Sequence, residues 1–183
     1  NWGNGNDSNL FSKLGDAPVI IDTNRVARGA LQLQDWYFNK GYFNATSSYN
    51  IDSVGKQKAK ANYYVIPRER YKISKLNVET QTQGLNSVIA QVFKEDSLVK
   101  NGDYYDADKL ESLRSKIAQK ARNAGFYGFS KNYIRYKADT FLVGNFVNIQ
   151  MVIDQANVEI DDSTYSQDHK RYFIKDIYVR PDY

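Results

Sequence analysis

Two stretches of this chain make the same transition. Gly41-Tyr42-Phe43-Asn44-Ala45 follows a run with helical spacing and opens one with a period of two, and Gly125-Phe126-Tyr127-Gly128-Phe129 does the same 84 residues later. Glycine supplies the left-handed conformation in which a helix stops and turns sharply into a strand, without a Cβ clash. Two such junctions constrain the 183 residues to two helix-to-strand modules in tandem.

In the first module, Ser8 to Leu14 reads as a short helix stopped by Gly15, with Pro18 beyond it and Val19-Ile20-Ile21 as an extended link. Asp22, Thr23 and Asn24 are N-cap residues for a helix carrying Val26, Ala30, Leu33 and Tyr37 on one side. After Gly41, residues Phe43, Ala45, Ser47, Tyr49 and Ile51 share one strand face. Small and polar inward residues suit the edge of a sheet better than its middle. Ala59, Ala61, Tyr63 and Val65 alternate in a hairpin partner, which Pro67 ends.

The second module opens with a strand over 71–79, followed by helices over 85–94 and 106–124 and strands over 132–141 and 145–154. Val147, Ile149, Met151 and Ile153 give the last of these an apolar inner face, as a central strand requires. The opening strand is unusual, because its apolar positions change parity between Ile73 and Leu76; a β-bulge accounts for this. Its twin, Arg171-Tyr172-Phe173-Ile174-Lys175-Asp176-Ile177-Tyr178-Val179-Arg180, changes parity at the same place 101 residues on. The second repeat is therefore about 17 residues longer than the first, and polar Gln155 to His169 is expected to hold most of them as an exposed loop. The fold class expected is α+β, with βααββ modules that each pack a three-stranded mixed sheet on a helix pair. Its boundaries are 1–69, lacking a first strand, then 70–170, then 171–183 as the first strand of a following module.

Composition excludes little except thiol and disulfide chemistry, since cysteine is absent. A net charge of +4 and a pI near 9.0 arise from basic residues spread among acids. No run reaches the length of a membrane span and no leader pattern opens the chain, though either can lie outside this segment. Fifteen tyrosines suit sheet faces and groove rims, where one end of the ring is dry and the other wet.

Catalytic groups are sparse. His169, the only histidine, is expected in a solvated loop. Asp161-Asp162 and Asp103 with Asp106 pair carboxylates but lack the ligand spacing of a calcium loop, and helix capping explains Asp106. No catalytic residue, metal or cofactor is expected. Gly125-Phe126-Tyr127-Gly128 matches the GxxG loop of KH domains in spelling, but it joins helix to strand and carries no basic residue between its glycines. A single-stranded nucleic-acid-binding domain of KH-like topology is therefore the alternative reading.

The βααββ order, the strand Arg70 to Val78, the helix end Asn39-Lys40-Gly41-Tyr42-Phe43-Asn44-Ala45, and the span from Tyr104-Tyr105-Asp106 to Gly125-Phe126-Tyr127 together resemble POTRA domains. Leu14-Gly15-Asp16-Ala17-Pro18-Val19 and Val179-Arg180-Pro181-Asp182-Tyr183 are most similar to TamL, the TamA-like lipoproteins of Bacteroidota. The resemblance implies non-catalytic scaffold modules on the periplasmic side of the Gram-negative outer membrane, in a BamA- or TamA-type assembly or translocation protein. It implies binding of unfolded outer-membrane clients or a TamB-like periplasmic partner, by addition of an extended segment to an exposed sheet edge. The edge residues are then Phe43, Asn44, Ala45, Thr46, Ser47, Ser48 and Tyr49 in the first module, and Tyr133, Ile134, Arg135, Tyr136 and Lys137 in the second, with Gly41 and Gly125 in structural roles.

Overall fold

The computed structural model describes residues 20–55, 58–95, 98–140, 143–160 and 163–181. The elements are α1 (Thr23–Asn39), β1 (Thr46–Ser53), β2 (Ala59–Ile66), β3 (Lys72–Thr80), α2 (Gln83–Glu95), α3 (Ala107–Asn123), a 3₁₀ turn (Lys131–Tyr133), β4 (Ile134–Asp139), β5 (Phe146–Ile153), β6 (Ala156–Ile160) and β7 (Ser163–Gln167). The chain is of mixed α+β class. The short helix expected over Ser8–Leu14 lies outside the described residues.

Two compact units divide the chain. One runs through Gln34 and resumes over Ser47–Val65; the other holds Asp35–Thr46 and resumes at Ile66. Helix α1 thus begins in the first unit and ends in the second. Asp22 starts it, its carboxylate accepting from the N–H groups of Asn24 and Arg25. In the first unit β1 and β2 form a two-stranded sheet. Their connection is too short for a crossover, so they run antiparallel. Val26 and Ala30 are the buried side chains of this unit among the described residues, and Ser47 Oγ donates to the Ala30 carbonyl at 2.6 Å.

The second unit carries the main core. Its sheet has the order β3-β5-β4, with β3 parallel and β4 antiparallel to the central β5. Helices α2 and α3 supply Leu85, Val88, Ile89 and Val92, and Leu110, Leu113, Ile117, Ala118 and Ala121, at helical spacing. Val147, Ile149, Met151 and Ile153 of β5 are all buried in the same cluster. Each large aliphatic removed from water contributes roughly 1.5–3 kcal/mol.

The register explains the parity change in β3. Ile73 pairs with Val147 and Lys75 with Asn148, so Ser74 is the extra residue of a bulge. Beyond it Leu76 faces Ile149 and Val78 faces Met151, both inward residues of β5. Without the bulge, Ile73 and Leu76 would lie on opposite faces.

Two expectations need correction. Residues 155–169 are not a plain loop: β6 and β7 pair antiparallel, from Ala156 with Gln167 to Ile160 with Ser163. The alternation in Asn157, Val158 and Tyr165 is short and mostly polar, which hides a hairpin in a sequence without a large apolar face. His169 is not solvated either. It is 7% exposed, its Nε2 donates to the Asp154 carbonyl at 2.8 Å, and its ring meets Phe129 and Tyr133 edge to face.

Candidate partner-binding edges and the glycine junctions

A strand at a sheet edge has one row of N–H and C=O groups without a strand partner. The second unit's sheet has two edges, and the chain treats them differently. Along β3 the segment 101–105 supplies partners. Ile73 N–H donates to the Asp103 carbonyl at 2.8 Å, Gly102 N–H to the Ile73 carbonyl at 2.7 Å and Tyr105 N–H to the Tyr71 carbonyl at 3.0 Å, while Leu76 N–H donates to Asn101 Oδ1 at 3.2 Å. Gly102 turns this segment at φ +90°. The residue pattern there shows only an irregular connection and does not announce the cover.

At the other edge the sheet ends on β4, whose only strand partner among the described residues is β5. Ile134 and Tyr136 point inward, and Tyr136 Oη donates to the Leu110 carbonyl at 3.1 Å. Burial raises the Tyr136 pKa, so this donor keeps its proton. Arg135, Lys137 and Asp139 point outward. Arg135 forks onto both carboxylate oxygens of Asp154; that bond and the adjacent charge hold the Asp154 carboxyl below its ordinary range. Tyr133 belongs to the 3₁₀ turn, so the strand begins one residue later than the expected edge.

In the first unit β1 is paired, among the described residues, on one side, by β2. Its sequence is mostly hydroxyl and amide side chains, with Ser47 and Ile51 half-buried and the rest exposed. Phe43, Asn44 and Ala45, placed by periodicity at the start of this strand, precede it in a turn. Ala45 is buried, and the Phe43 ring is enclosed by Phe38, Tyr71 and Tyr105 at centroid distances of 4.9, 5.0 and 4.9 Å. Thr46, Ser47, Ser48 and Tyr49 do lie in β1. The aromatic after the glycine satisfies the strand pattern, but three other rings claim it.

The two glycines adopt the expected conformation, Gly41 at φ +89° and Gly125 at +98°. Their hydrogen bonds are repeated as well. Tyr71 N–H donates to the Gly41 carbonyl at 2.9 Å, and Tyr172 N–H to the Gly125 carbonyl at 2.8 Å. Arg70 Nε donates to the Lys40 carbonyl at 2.7 Å, and Arg171 Nε to the Ala124 carbonyl at 2.6 Å. These arginines cap the last turns of α1 and α3, where free carbonyls concentrate negative partial charge.

A charged clamp belongs to the first junction alone. Lys40 Nζ lies 3.0 Å from Asp106 Oδ2 and 2.8 Å from Asp108 Oδ2, and Ala124 occupies the corresponding place in the second. Hydrogen bonds to Asp108 and Asp106 raise the Lys40 pKa. Burial pushes Asp106 upward, but its bonds to Lys40 and the Asp108 N–H outweigh this, leaving it below the ordinary carboxylate value. Asp106 is the N-cap of α3. Asp103 also has a structural partner, the Lys100 N–H, and Asp161 and Asp162 lie outside the described residues. Among the described residues no group of three or more His, Asp or Glu side chains is placed to hold a metal, and no helix is long and apolar enough to cross a membrane.

No protein-family model matches the chain, and no curated protein sequence is similar to it. Solved structures are similar in fold. POTRA domains 3–5 of BamA from Haemophilus influenzae superpose with a TM-score of 0.51 at 15% identity, over 70% of this chain and 49% of that one. BamA from Haemophilus ducreyi lacking POTRA domains 1–3 gives 0.47 at 14% identity, over 83% and 27%. The chain spans about half the length of the first of these. At this identity the likeness shows the fold, which is of the POTRA type.

Proposed function

We propose that these residues form non-catalytic scaffold and binding modules of an outer-membrane β-barrel assembly or translocation protein, exposed to the periplasm, which take extended client or partner polypeptide at their sheet edges. The observation that carries this reading is the asymmetry of the β3-β5-β4 sheet: one edge is covered by 101–105, and the other ends on β4 with no further strand among the described residues. An added strand gains its affinity from backbone hydrogen bonds and makes few demands on side chains, which suits a protein that handles many unfolded sequences. Strand β1 offers a second edge. Its polar faces weakly specify register, so it tolerates alternative pairings.

The finer assignment rests on the sequence resemblance. In that reading the parent is a TamL-like lipoprotein of Bacteroidota, its partner is TamB-like, and the modules are bounded at 1–69 and 70–170. The nucleic-acid alternative gains no support from the fold, since the Gly125–Gly128 turn leaves α3 for the 3₁₀ turn instead of joining α2 to α3.

Photo-crosslinking side chains placed at Thr46 and Lys137 test the proposal. Both are exposed and lie on β1 and β4. Incubated with an unfolded barrel-strand peptide, both positions are expected to capture it. A probe at Lys75, on the opposite edge of the same sheet, is expected to capture far less. Equal capture at all three positions, or none at Thr46 and Lys137, would refute edge-strand binding.

A further inference from the structure

After β2 the chain reaches β3 through residues 67–71 alone, whereas β5 is followed by the hairpin β6–β7. The base of that hairpin is fastened to the ends of two other strands. His169 Nε2 donates to the Asp154 carbonyl at 2.8 Å, directly after β5, and His169 N–H donates to Thr82 Oγ1 at 3.4 Å, just beyond β3. His169 and Thr82 are both buried. Burying polar groups is costly unless their bonds are made, and here those bonds hold the hairpin against the end of the sheet. Gln155 Nε2 closes the base by donating to Asp168 Oδ1 at 3.0 Å.

The hairpin and the strand ends line an open cleft of about 520 Å³. Glu79 and Gln81 enter it from the end of β3, Asn132 and Tyr133 from the 3₁₀ turn, Val152 from β5 and Asn157 from β6. The Tyr133 ring packs on Phe129 and His169 at centroid distances of 5.8 and 4.6 Å, which fixes this part of the wall. The side chains of Gln81, Asn132 and Tyr133 make no hydrogen bond to another described residue, and Asn157 uses only its Oδ1, accepting from Ser166 Oγ at 3.3 Å. Donors and acceptors thus converge unspent from separate segments. Their charge is equally informative, because no lysine or arginine lines the cleft. Of its two carboxylates, Asp154 is engaged by Arg135 and Glu79 accepts from the Gln150 amide. An anion would meet a carboxylate and no cation there, and an apolar ligand would leave the amides unpaired.

We infer that this cleft binds a neutral, hydroxyl-rich ligand, one or two sugar units of an oligosaccharide. A side-chain amide both donates and accepts, as each sugar hydroxyl does, so Gln81, Asn132 and Asn157 can pair with neighbouring hydroxyls. Tyr133 offers an apolar ring body to the C–H face of a sugar and a polar tip to its hydroxyls. The volume falls within the range of small-molecule sites. A peptide is the poorer fit: an added strand needs the backbone row of a sheet edge, and this lining presents side chains from strand ends and a turn. The inference goes beyond client binding at β1 or β4 and does not depend on it.

Titration of the isotope-labelled 183-residue chain with maltotriose and, separately, with triacetylchitotriose, followed by amide NMR, tests it. At least one sugar is expected to give saturable shifts clustered at 79–81, 132–133 and 154–157; a response to the second alone would identify an acetamido sugar. The double variant Gln81→Ala, Asn132→Ala is expected to bind at least ~10-fold more weakly, by loss of two sets of hydrogen bonds. Its melting temperature is expected to stay unchanged, since both side chains are exposed and bond to no other described residue. Lys75→Ala, outside the cleft, is expected to bind as the parent does. Absence of saturable shifts with either sugar overturns the inference, as do shifts scattered over the surface or undiminished affinity in the double variant. A lowered melting temperature of that variant would assign Gln81 and Asn132 to the fold and count against it. Shifts at the same residues from an unfolded barrel-strand peptide, and from neither sugar, would give the cleft to polypeptide and refute the sugar assignment. Crosslinking at Thr46 and Lys137 is a separate readout, so the failure of either reading is visible without the other.

Discussion

Gly41 and Gly125 stop their helices in the same left-handed conformation and are followed by the same arginine and tyrosine bonds, yet the first opens onto a packed sheet and the second onto solvent. The contrast separates what a short sequence dictates from what its surroundings add. Helix stop, turn and backbone clamp come with the local residues and appear in both copies. Burial and strand pairing need a neighbouring sheet, and appear in one.

Aspartate at matched positions separates the copies most widely. Ile73→Asp places a carboxylate in a site that is 1% exposed, beside Val147. It is expected to cost ~4 kcal/mol or more, enough to unfold the second unit. Ile174→Asp, at the equivalent place, is expected to change stability by no more than ~0.5 kcal/mol. Urea denaturation of the two variants measures the difference, and similar midpoints would mean that the copies are not in different states.

The same division explains what could be read from the residues. The helices of the second unit, the central place of β5, the edge place of β4 and the β3 bulge were all legible, because each leaves a periodic apolar trace or a break in one. Phe43 fits the strand pattern but is claimed by Phe38, Tyr71 and Tyr105, and no local pattern announces a ring enclosed by distant rings. The burial of His169 has the same origin: Phe129 and Tyr133 come from 40 and 36 residues upstream. The β6–β7 hairpin lacks an apolar face to betray it. Cover over β3 comes from an irregular segment whose contribution is backbone hydrogen bonding, which side-chain identity barely encodes.

Valine at the glycines gives a smaller contrast. Both substitutions force a β-branched residue to positive φ, costing about 1–3 kcal/mol by strain alone. At Gly41 the new Cβ also meets the Tyr105 carbonyl oxygen at 2.8 Å, and that backbone is held by the bond from its N–H to Tyr71. At Gly125 it meets the Tyr172 carbonyl at 2.6 Å; the Tyr172 N–H is held by the Gly125 carbonyl, but among the described residues no backbone N–H donates to the Tyr172 carbonyl and no strand follows it, so it is held on one side only. Gly41→Val is therefore expected to be the more destabilising by roughly 1–2 kcal/mol. Equal losses in thermal unfolding would show that the 171–172 backbone is as firmly held as Tyr105.

The smallest expected effect tests the one clamp that the second junction lacks. Asp106 has its pKa below the ordinary 3.8, so its charge stabilises the folded unit above that pH, and the contribution is lost as pH falls through the lower folded value. Lys40 is shifted above 10.5; its contribution is complete below that value and is lost as pH rises through the higher folded one. Asp106→Asn retains an N-cap acceptor while removing the charge from the Lys40 bridge. The variant is expected to be slightly less stable than the parent at pH 7, the gap closing as pH falls through the lowered Asp106 value and the parent's carboxylate takes up its proton. Ala124→Lys at the second junction, where no counterpart of the Asp106 and Asp108 pair is seen among the described residues, is expected to add no pH dependence. A gap between parent and Asp106→Asn that shows no narrowing as acid is added, down to the onset of acid unfolding, would assign the loss to packing around the cap and not to the charge that Lys40 holds.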